Sequence, residues 1–235
     1  MALNELAQHS SIRILEQSID GGLKAGEIGV IASPSGIGKT SVLVQLALDK
    51  LLQAKKIIHV SFTQHTNYVF VWYEDLFGEF AKRKNFKSTP EMKADLVKNR
   101  VLMNFNQDGI SKEQILRSLR AMIVEGGFAA EAVIIDGFDF SRTTYDCIAS
   151  VKAFAKELGL CVWYSCNVKD GEGQHDVSSG MPLLLKTFED QLDVVITLGA
   201  KQDYIELCVT KDRQAAASQH KALRLDPKTM LILEA

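Results

Sequence analysis

Ser33-Pro34-Ser35-Gly36-Ile37-Gly38-Lys39-Thr40 is the stretch that decides how the rest of the chain is interpreted. It follows the G-x-x-x-x-G-K-S/T pattern of a phosphate-binding loop, except that Ser33 stands at the position of the first glycine. The apolar run Ile28–Ala32 precedes the loop and the helix-like run Ser41–Gln53 follows it, which is the context that such a loop requires. Serine is tolerated at position 33 if the backbone there has negative φ, because only positive φ strongly favours glycine.

A loop of this kind binds phosphate through consecutive backbone N–H groups and the N-terminus of the following helix. Lys39 is expected to contact the β- and γ-phosphates of a nucleotide, and the hydroxyl group of Thr40 is expected to bind Mg²⁺. The sequence therefore predicts a site for ATP and Mg²⁺, with the phosphates held by Ser35, Gly36, Ile37, Gly38, Lys39 and Thr40. The alternative is a glycine-rich strand-to-helix turn without a ligand, although such a turn does not require Gly-Lys-Thr at the start of the helix.

A second element of such a site is an acidic residue at the end of a buried strand, where it holds Mg²⁺ directly or through water. The run Glu131–Asp136 fits this description, because four apolar residues lead to Asp136 and Gly137 follows. We predict that Asp136 supports Mg²⁺ together with Thr40. The alternative is that Asp136 only caps a turn, since many parallel strands end in aspartate.

The composition is that of an ordinary soluble protein, with 235 residues, 46% hydrophobic and 24% charged, and a formal net charge of −2. This length is enough for one α/β domain over residues 1–235, in which residues 1–19 form an N-terminal helical segment. Four cysteines without a C-x-x-C pair indicate structural thiols in a reducing cytoplasm. No apolar run reaches the roughly 18 residues of a transmembrane helix, so membrane insertion is not expected.

Apolar, β-branched runs alternate with helix-like segments along most of the chain. The predicted strands are Ile28–Ala32, Lys56–Phe62, Arg100–Phe105, Ala132–Asp136, Leu160–Cys166, Asp193–Leu198, Tyr204–Lys211, Lys221–Asp226 and Met230–Leu233. The predicted helices are Lys39–Ala54, Asn67–Lys84, Pro90–Lys98, Ser111–Glu125 and Thr144–Leu158. The alternation predicts a mainly parallel central sheet flanked by helices, and the last four closely spaced strands predict a C-terminal antiparallel meander.

Several segments resemble the RecA-like P-loop ATPase superfamily, which includes KaiC, the RecA/RadA recombinases and the motor domain of DnaB-type helicases. Asp20–Glu27 resembles the GGL-x-x-G-E entry to the first strand, and Ser35–Thr40 is most similar to the KaiC form of the loop. Phe154–Leu160 is similar to a helix of the helicase motors. The resemblance covers nearly the whole chain and implies a RecA-like P-loop NTPase fold in a single ATPase domain.

The resemblance also implies roles for three residues beyond the phosphate loop. Asn167 falls where the superfamily has a polar residue that senses the γ-phosphate. Val209–Arg213 resembles the K-x-R finger that DnaB-type and KaiC-type rings insert into a neighbour's ATP site, with Lys211 and Arg213 as its cations. This implies a homo-oligomer, such as a hexamer-like ring or a filament. The alternative is that the two cations are solvated on a β-hairpin.

The residue that activates water in this superfamily is missing from the chain. A glutamate at the end of the second strand polarises the attacking water in RecA-like ATPases, and here Thr63 and Gln64 occupy its position. Three interpretations remain open: Gln64 only orients water, His65 acts as the base with an ordinary pKa near 6.5, or ATP is bound and not hydrolysed. Because loss of a general base typically costs about 10²–10⁴-fold in rate, we expect slow or absent hydrolysis.

These features favour a nucleotide-dependent regulatory or assembly protein similar to KaiC. The alternatives are a non-enzymatic ATP-binding scaffold and a DNA-acting accessory ATPase related to recombinases and replicative helicases. Nucleic-acid binding is not favoured, because the loop Lys169–Gly180 contains three acidic residues against Lys169 alone, whereas phosphate neutralisation requires several cations. The dense aromatic run Tyr68–Tyr73 is interpreted either as core packing or as an interface with another subunit or a partner protein.

Overall fold

The structure is a computed structural model that describes residues 6–7, 12–63, 65–87, 89–106, 108–169, 180–213 and 223–233. The predicted water-orienting residue Gln64 and most of the loop Lys169–Gly180 lie outside the described residues. The predictions made for them are therefore carried forward as predictions.

Nine strands form one sheet, and hydrogen-bonded neighbours follow the order β3-β2-β4-β5-β1-β6-β7-β8-β9. The strands are β1 (Ile28–Ser33), β2 (Lys56–Ser61), β3 (Arg100–Asn104), β4 (Ala130–Asp136), β5 (Cys161–Asn167), β6 (Val194–Ala200), β7 (Ile205–Asp212), β8 (Leu223–Leu225) and β9 (Ile232–Leu233). Every pairing from β3 to β6 is parallel, whereas β6 to β9 pair antiparallel. This confirms the predicted mainly parallel sheet with a C-terminal antiparallel meander.

The helices lie between the strands, close to the predicted bounds. They are α1 (Ile12–Ser18), α2 (Lys39–Leu52), α3 (Thr66–Arg83), α4 (Pro90–Lys98), α5 (Lys112–Arg120), α6 (Tyr145–Leu158) and α7 (Leu183–Lys186). Helix α5 begins with a capping box, in which the Ser111 hydroxyl accepts from the Gln114 backbone N–H and the Gln114 side chain accepts from the Ser111 N–H. It continues as a π-helical turn, Ala121–Glu125.

Helices cover both faces of the sheet, because strand side chains alternate between the two faces. In β1, Ile31 packs with residues of α1 to α4, whereas Val30 packs on the opposite face with residues of α5, α6 and α7. Nearly all the parallel strands are buried, and this explains their continuous apolar runs. Within the described ranges, no helix has the length and apolar character needed to cross a membrane.

The aromatic run lies in helix α3 and packs mainly inward. Val69, Tyr73 and Phe77 are buried in the core, as expected for residues on one helical face. Tyr68 and Val71 are 68% and 50% exposed, so the same helix also presents apolar side chains to solvent. The core-packing interpretation is therefore correct for the inward face of α3.

A close backbone approach fixes the strand that leads into the phosphate loop. Gly29 of β1 is paired in register with Trp163 of β5, and a Cβ atom at Gly29 would lie 2.4 Å from the Trp163 ring. Only glycine leaves room for that ring, which fills the space above the strand. The packing holds β1 against β5 directly below the loop.

Parallel strands bring the predicted site residues to one edge of the sheet. Ser33 at the end of β1 is paired with Asn167 at the end of β5, and Ser61 at the end of β2 is paired with Asp136 at the end of β4. In open α/β sheets, ligands bind at this carboxyl edge. The topology therefore places the loop, the acidic residue and the polar strand ends side by side.

Candidate functional site

The phosphate loop has the backbone that its glycines predict. Gly36 and Gly38 have φ values of 82° and 110°, a region that favours glycine. Ser33, by contrast, ends strand β1 and is not among the residues with positive φ. The condition under which serine can replace the first glycine of the pattern is therefore met.

A cavity of about 380 Å³ opens between the loop and the carboxyl edge of the sheet. It is lined by Ser35, Gly36, Gly38, Lys39, Thr40, Ser41, Thr63, Trp72, Asp136, Gly137, Ser165, Asn167 and Met230. The structure thus brings together the predicted phosphate-loop residues except Ile37, along with Asp136 and Asn167. Trp72 of α3 and Met230 of the C-terminal hairpin were not predicted to reach this site.

Lys39 is folded onto its own loop. Its side-chain Nζ donates to the backbone oxygens of Ser33 and Pro34 at 2.9 and 2.7 Å, and to the Ser33 hydroxyl at 3.1 Å. Lys39 is only 7% exposed, and this burial lowers its pKa, while the negative charge of Asp136 acts in the opposite direction. The ammonium group therefore lies at the loop without a carboxylate bonded to it.

Asp136 is held by hydroxyl groups on both of its oxygens. Thr40 Oγ1 donates to Oδ2 at 2.8 Å, and Ser165 Oγ donates to Oδ1 at 2.6 Å. Ser165 in turn accepts from the backbone N–H of Gly137 at 2.7 Å. Thr40 and Asp136, the two residues predicted to hold Mg²⁺, are thus in direct contact, and both offer the oxygen ligands that Mg²⁺ prefers.

Ser165 was not identified from the sequence. It lies one residue beyond the paired residues Ile135 and Tyr164, so the parallel register of β4 and β5 places it beside Asp136. The available signal was a hydroxyl residue near the end of a buried strand. That signal becomes informative only when β5 is known to lie between β1 and β4.

The space next to Asp136 offers no second carboxylate from the described residues. Thr63 lies against Gly137, where an added Cβ atom would come within 2.5 Å of the Thr63 hydroxyl oxygen. Asn167 lines the cavity with an exposed side chain. His65, the alternative base, caps helix α3 by accepting from the Asn67 backbone N–H at 3.3 Å, and it is not part of the cavity lining.

A side-chain clamp joins the phosphate-loop helix to the end of the chain. Gln45 of α2 donates to the backbone oxygen of Met230 at 2.9 Å and accepts from the backbone N–H of Ile232 at 3.0 Å. Met230 has a positive φ of 57°, and its methyl group would lie 2.8 Å from a Cβ atom at Gly38. The hairpin between β8 and β9 is therefore packed directly onto the loop.

Arg213, predicted to act in a neighbouring subunit, is bound within its own chain. It makes a forked ion pair with Glu27, with nitrogen–oxygen distances of 2.9 and 2.8 Å, and it also donates to the backbone oxygens of Ile19 and Gly22. It does not line the cavity of its own chain. A role in a neighbour's site would require these bonds to be released, and it stays a prediction.

Lys211, the other predicted finger residue, is likewise turned toward its own chain. Its Nζ donates to the backbone oxygens of Glu189 and Leu192, at the turn before β6. Burial lowers its pKa, while the nearby carboxylate of Asp193 acts in the opposite direction. The side chain therefore caps a turn in the described chain, and its role in a neighbouring site also stays a prediction.

No protein-family model matches the chain, and no curated protein matches it in sequence. Among solved structures, it is similar to the ATPase domain of a DnaB-like helicase, with a TM-score of 0.69 and 15% sequence identity. The match covers 96% of this chain and 90% of the other. Together with the sheet order, the phosphate loop and the position of Asp136, this similarity shows that the chain has the RecA-like P-loop ATPase fold.

Proposed function

We propose that the chain binds ATP with Mg²⁺ at its phosphate loop, hydrolyses it slowly or not at all, and acts as a nucleotide-dependent regulatory or assembly protein. The observation that carries this proposal is the contact of 2.8 Å between Thr40 and Asp136, beside Lys39 in the same cavity. A hydroxyl group, a carboxylate and an ammonium group at the start of a helix fit a magnesium-bound polyphosphate.

The residues present fit both parts of this ligand. The backbone N–H groups of Ser35 to Thr40 and the Lys39 ammonium group would hold the phosphates, while Thr40 and Asp136 would hold Mg²⁺. Bound Mg²⁺ would neutralise phosphate charge. Ser165 keeps the Asp136 carboxylate oriented through its bond of 2.6 Å, and Asn167 lies where it can contact the phosphate end of the ligand.

Slow hydrolysis is proposed because Asp136 is the only carboxylate that lines the cavity among the described residues. Asp136 already accepts from two hydroxyl groups, so it is engaged in holding the site. The same observation also fits a non-enzymatic ATP-binding scaffold. A DNA-acting accessory role has less support, because the formal net charge of −2 provides no general attraction for nucleic acid.

The proposed partners are ATP and either further copies of this chain or another protein. The exposed Tyr68 and Val71 on α3, next to the cavity-lining Trp72, support a contact surface beside the site. A cytoplasmic location is proposed from the four free cysteines, of which Cys161 and Cys166 are buried and have pKa values raised by burial.

The central test is calorimetric titration of the protein with ATP in the presence of Mg²⁺ and after Mg²⁺ is chelated. We expect saturable binding that weakens without Mg²⁺, because Thr40 and Asp136 then lose their shared ligand. Trp72 lines the cavity, so its fluorescence should change on binding, and the Trp72→Phe variant should lose this signal while the heat of binding remains. Absence of saturable binding by the wild-type protein would overturn the proposed function.

Restoring the missing acid tests the proposal of slow hydrolysis. Thr63 lines the cavity and Gln64 follows it directly, so Gln64→Glu is expected to raise ATP turnover by about 10²-fold, since a general base typically contributes about 10²–10⁴-fold. The measurement is steady-state phosphate release, with Gln64→Ala as the matched control that adds no carboxylate. An unchanged, near-zero rate for Gln64→Glu would show that the missing base is not the sole cause of slow turnover.

A further inference from the structure

The Lys39 ammonium group has all of its donors occupied within the chain. A lysine side chain has three N–H donors, and the structure supplies three acceptors: the backbone oxygen of Ser33, the backbone oxygen of Pro34 and the Ser33 hydroxyl oxygen. The distances lie between 2.7 and 3.1 Å. A phosphate oxygen can therefore bind Nζ only after at least one of these bonds is released.

One of the three acceptors exists only because this chain departs from the usual pattern. The usual residue at position 33 is glycine, which has no side chain. The Ser33 hydroxyl donates its hydrogen to the Pro34 backbone oxygen at 2.9 Å, so a lone pair remains for Lys39. Because Ser33 is 1% exposed, water does not compete for this contact.

We propose that Ser33 holds Lys39 in a stowed position and thereby lowers the affinity of the loop for the phosphates of a nucleoside triphosphate. This inference rests on the proposed function, since it assumes that Lys39 binds phosphate at this site. Ser33 then acts as a positioning residue that sets the nucleotide concentration at which the site fills. The two backbone acceptors are general to any residue at these positions, whereas the hydroxyl group is specific to serine.

The effect of removing the hydroxyl group has a definite direction. In the ligand-free protein, Ser33→Ala leaves one Lys39 N–H without an acceptor in a buried position, and this destabilises that state. In the bound protein, phosphate oxygens satisfy the ammonium group, so little is lost. If Ser33 instead oriented Lys39 toward the phosphate, the same substitution would weaken binding.

The first experiment compares the affinity for ATP with Mg²⁺ of the wild-type protein and the Ser33→Ala variant by calorimetry. We expect binding about tenfold tighter in the variant, which corresponds to the loss of one charge-assisted hydrogen bond. Ser150→Ala is the matched control, because its hydroxyl group only donates to the Asp146 backbone oxygen on helix α6, and its affinity should be unchanged. Unchanged or weaker binding by Ser33→Ala overturns the inference and leaves the proposed function standing.

The second experiment needs no ligand. Urea unfolding of the ligand-free protein is measured for Ser33→Ala in the wild-type background and in the Lys39→Met background. We expect the substitution to lower stability only where Lys39 is present, because the methionine side chain has no N–H to satisfy. An equal loss in both backgrounds overturns the inference, even if no variant binds ATP and the proposed function itself has failed.

Discussion

Replacing Lys39 by alanine is expected to weaken binding of ATP with Mg²⁺ by about a hundredfold or more. Lys39 is the only cationic side chain among the described residues that line the cavity, so the variant leaves the phosphate charge to backbone N–H groups and Mg²⁺. Hydrogen bonds from a charged group contribute about 1.5–3 kcal/mol each, and about 1.4 kcal/mol corresponds to a tenfold change in affinity.

The comparison requires a control for the general effect of removing a lysine from helix α2. Lys50→Ala provides it, because Lys50 lies at the other end of the same helix and pairs with Glu16 at 3.5 Å. Both variants should be titrated by calorimetry after circular dichroism has shown that they are folded. Wild-type affinity in Lys39→Ala would mean that nucleotide is not bound at this loop.

Lowering the pH from 7.5 to 5 is expected to reduce the free energy of unfolding by about 2 kcal/mol through His59 alone. His59 is completely buried in β2, with Nδ1 lying 3.0 Å from the hydroxyl oxygen of Tyr73. Burial is the main cause that lowers the pKa of His59 from 6.5 to about 4. The negative charge of Asp136 opposes this shift, and the positive charge of Arg100 adds to it.

The direction of the pH effect follows from comparing the folded and unfolded chains. The unfolded chain takes up a proton at His59 below pH 6.5, whereas the folded chain does so only near pH 4. The contribution of neutral His59 to stability is therefore complete above pH 6.5 and is lost as the pH falls toward 4.

The measurement is urea unfolding at the two pH values for the wild-type protein and a double variant. His59→Phe with Tyr73→Phe removes the titrating group and its hydrogen-bond partner together, so no buried polar group remains unpaired at this contact. The double variant should lose the His59 part of the pH dependence. An equal loss of stability in both proteins would assign the effect to other groups.

The local elements were predictable because they depend on residues close together in the sequence. The bounds of α4 match the prediction, Pro90–Lys98, since Thr89 caps the helix and proline occupies its first position. The capping box at Ser111 is equally local. The alternation of these helices with apolar runs was sufficient to predict the parallel sheet.

The missed contacts depend on which distant strands become neighbours. Ser165 reaches Asp136 across two adjacent strands, and Arg213 reaches Glu27 over 186 positions of sequence. A K-x-R pattern does not show whether its cations face another subunit or their own chain. Trp72 could be assigned to an inward helical face, but the cavity beside that face becomes visible only once α3 is packed against α2.

The Gln45 clamp has a mechanical consequence for the whole molecule. Its two bonds tie helix α2, which carries the phosphate loop at its first turn, to the backbone on both sides of Leu231. Helix α2 therefore cannot shift along its axis without pulling on β9, the last strand in the sheet order. The clamp works as a connecting rod, so that a movement begun at the loop is delivered to the far border of the sheet.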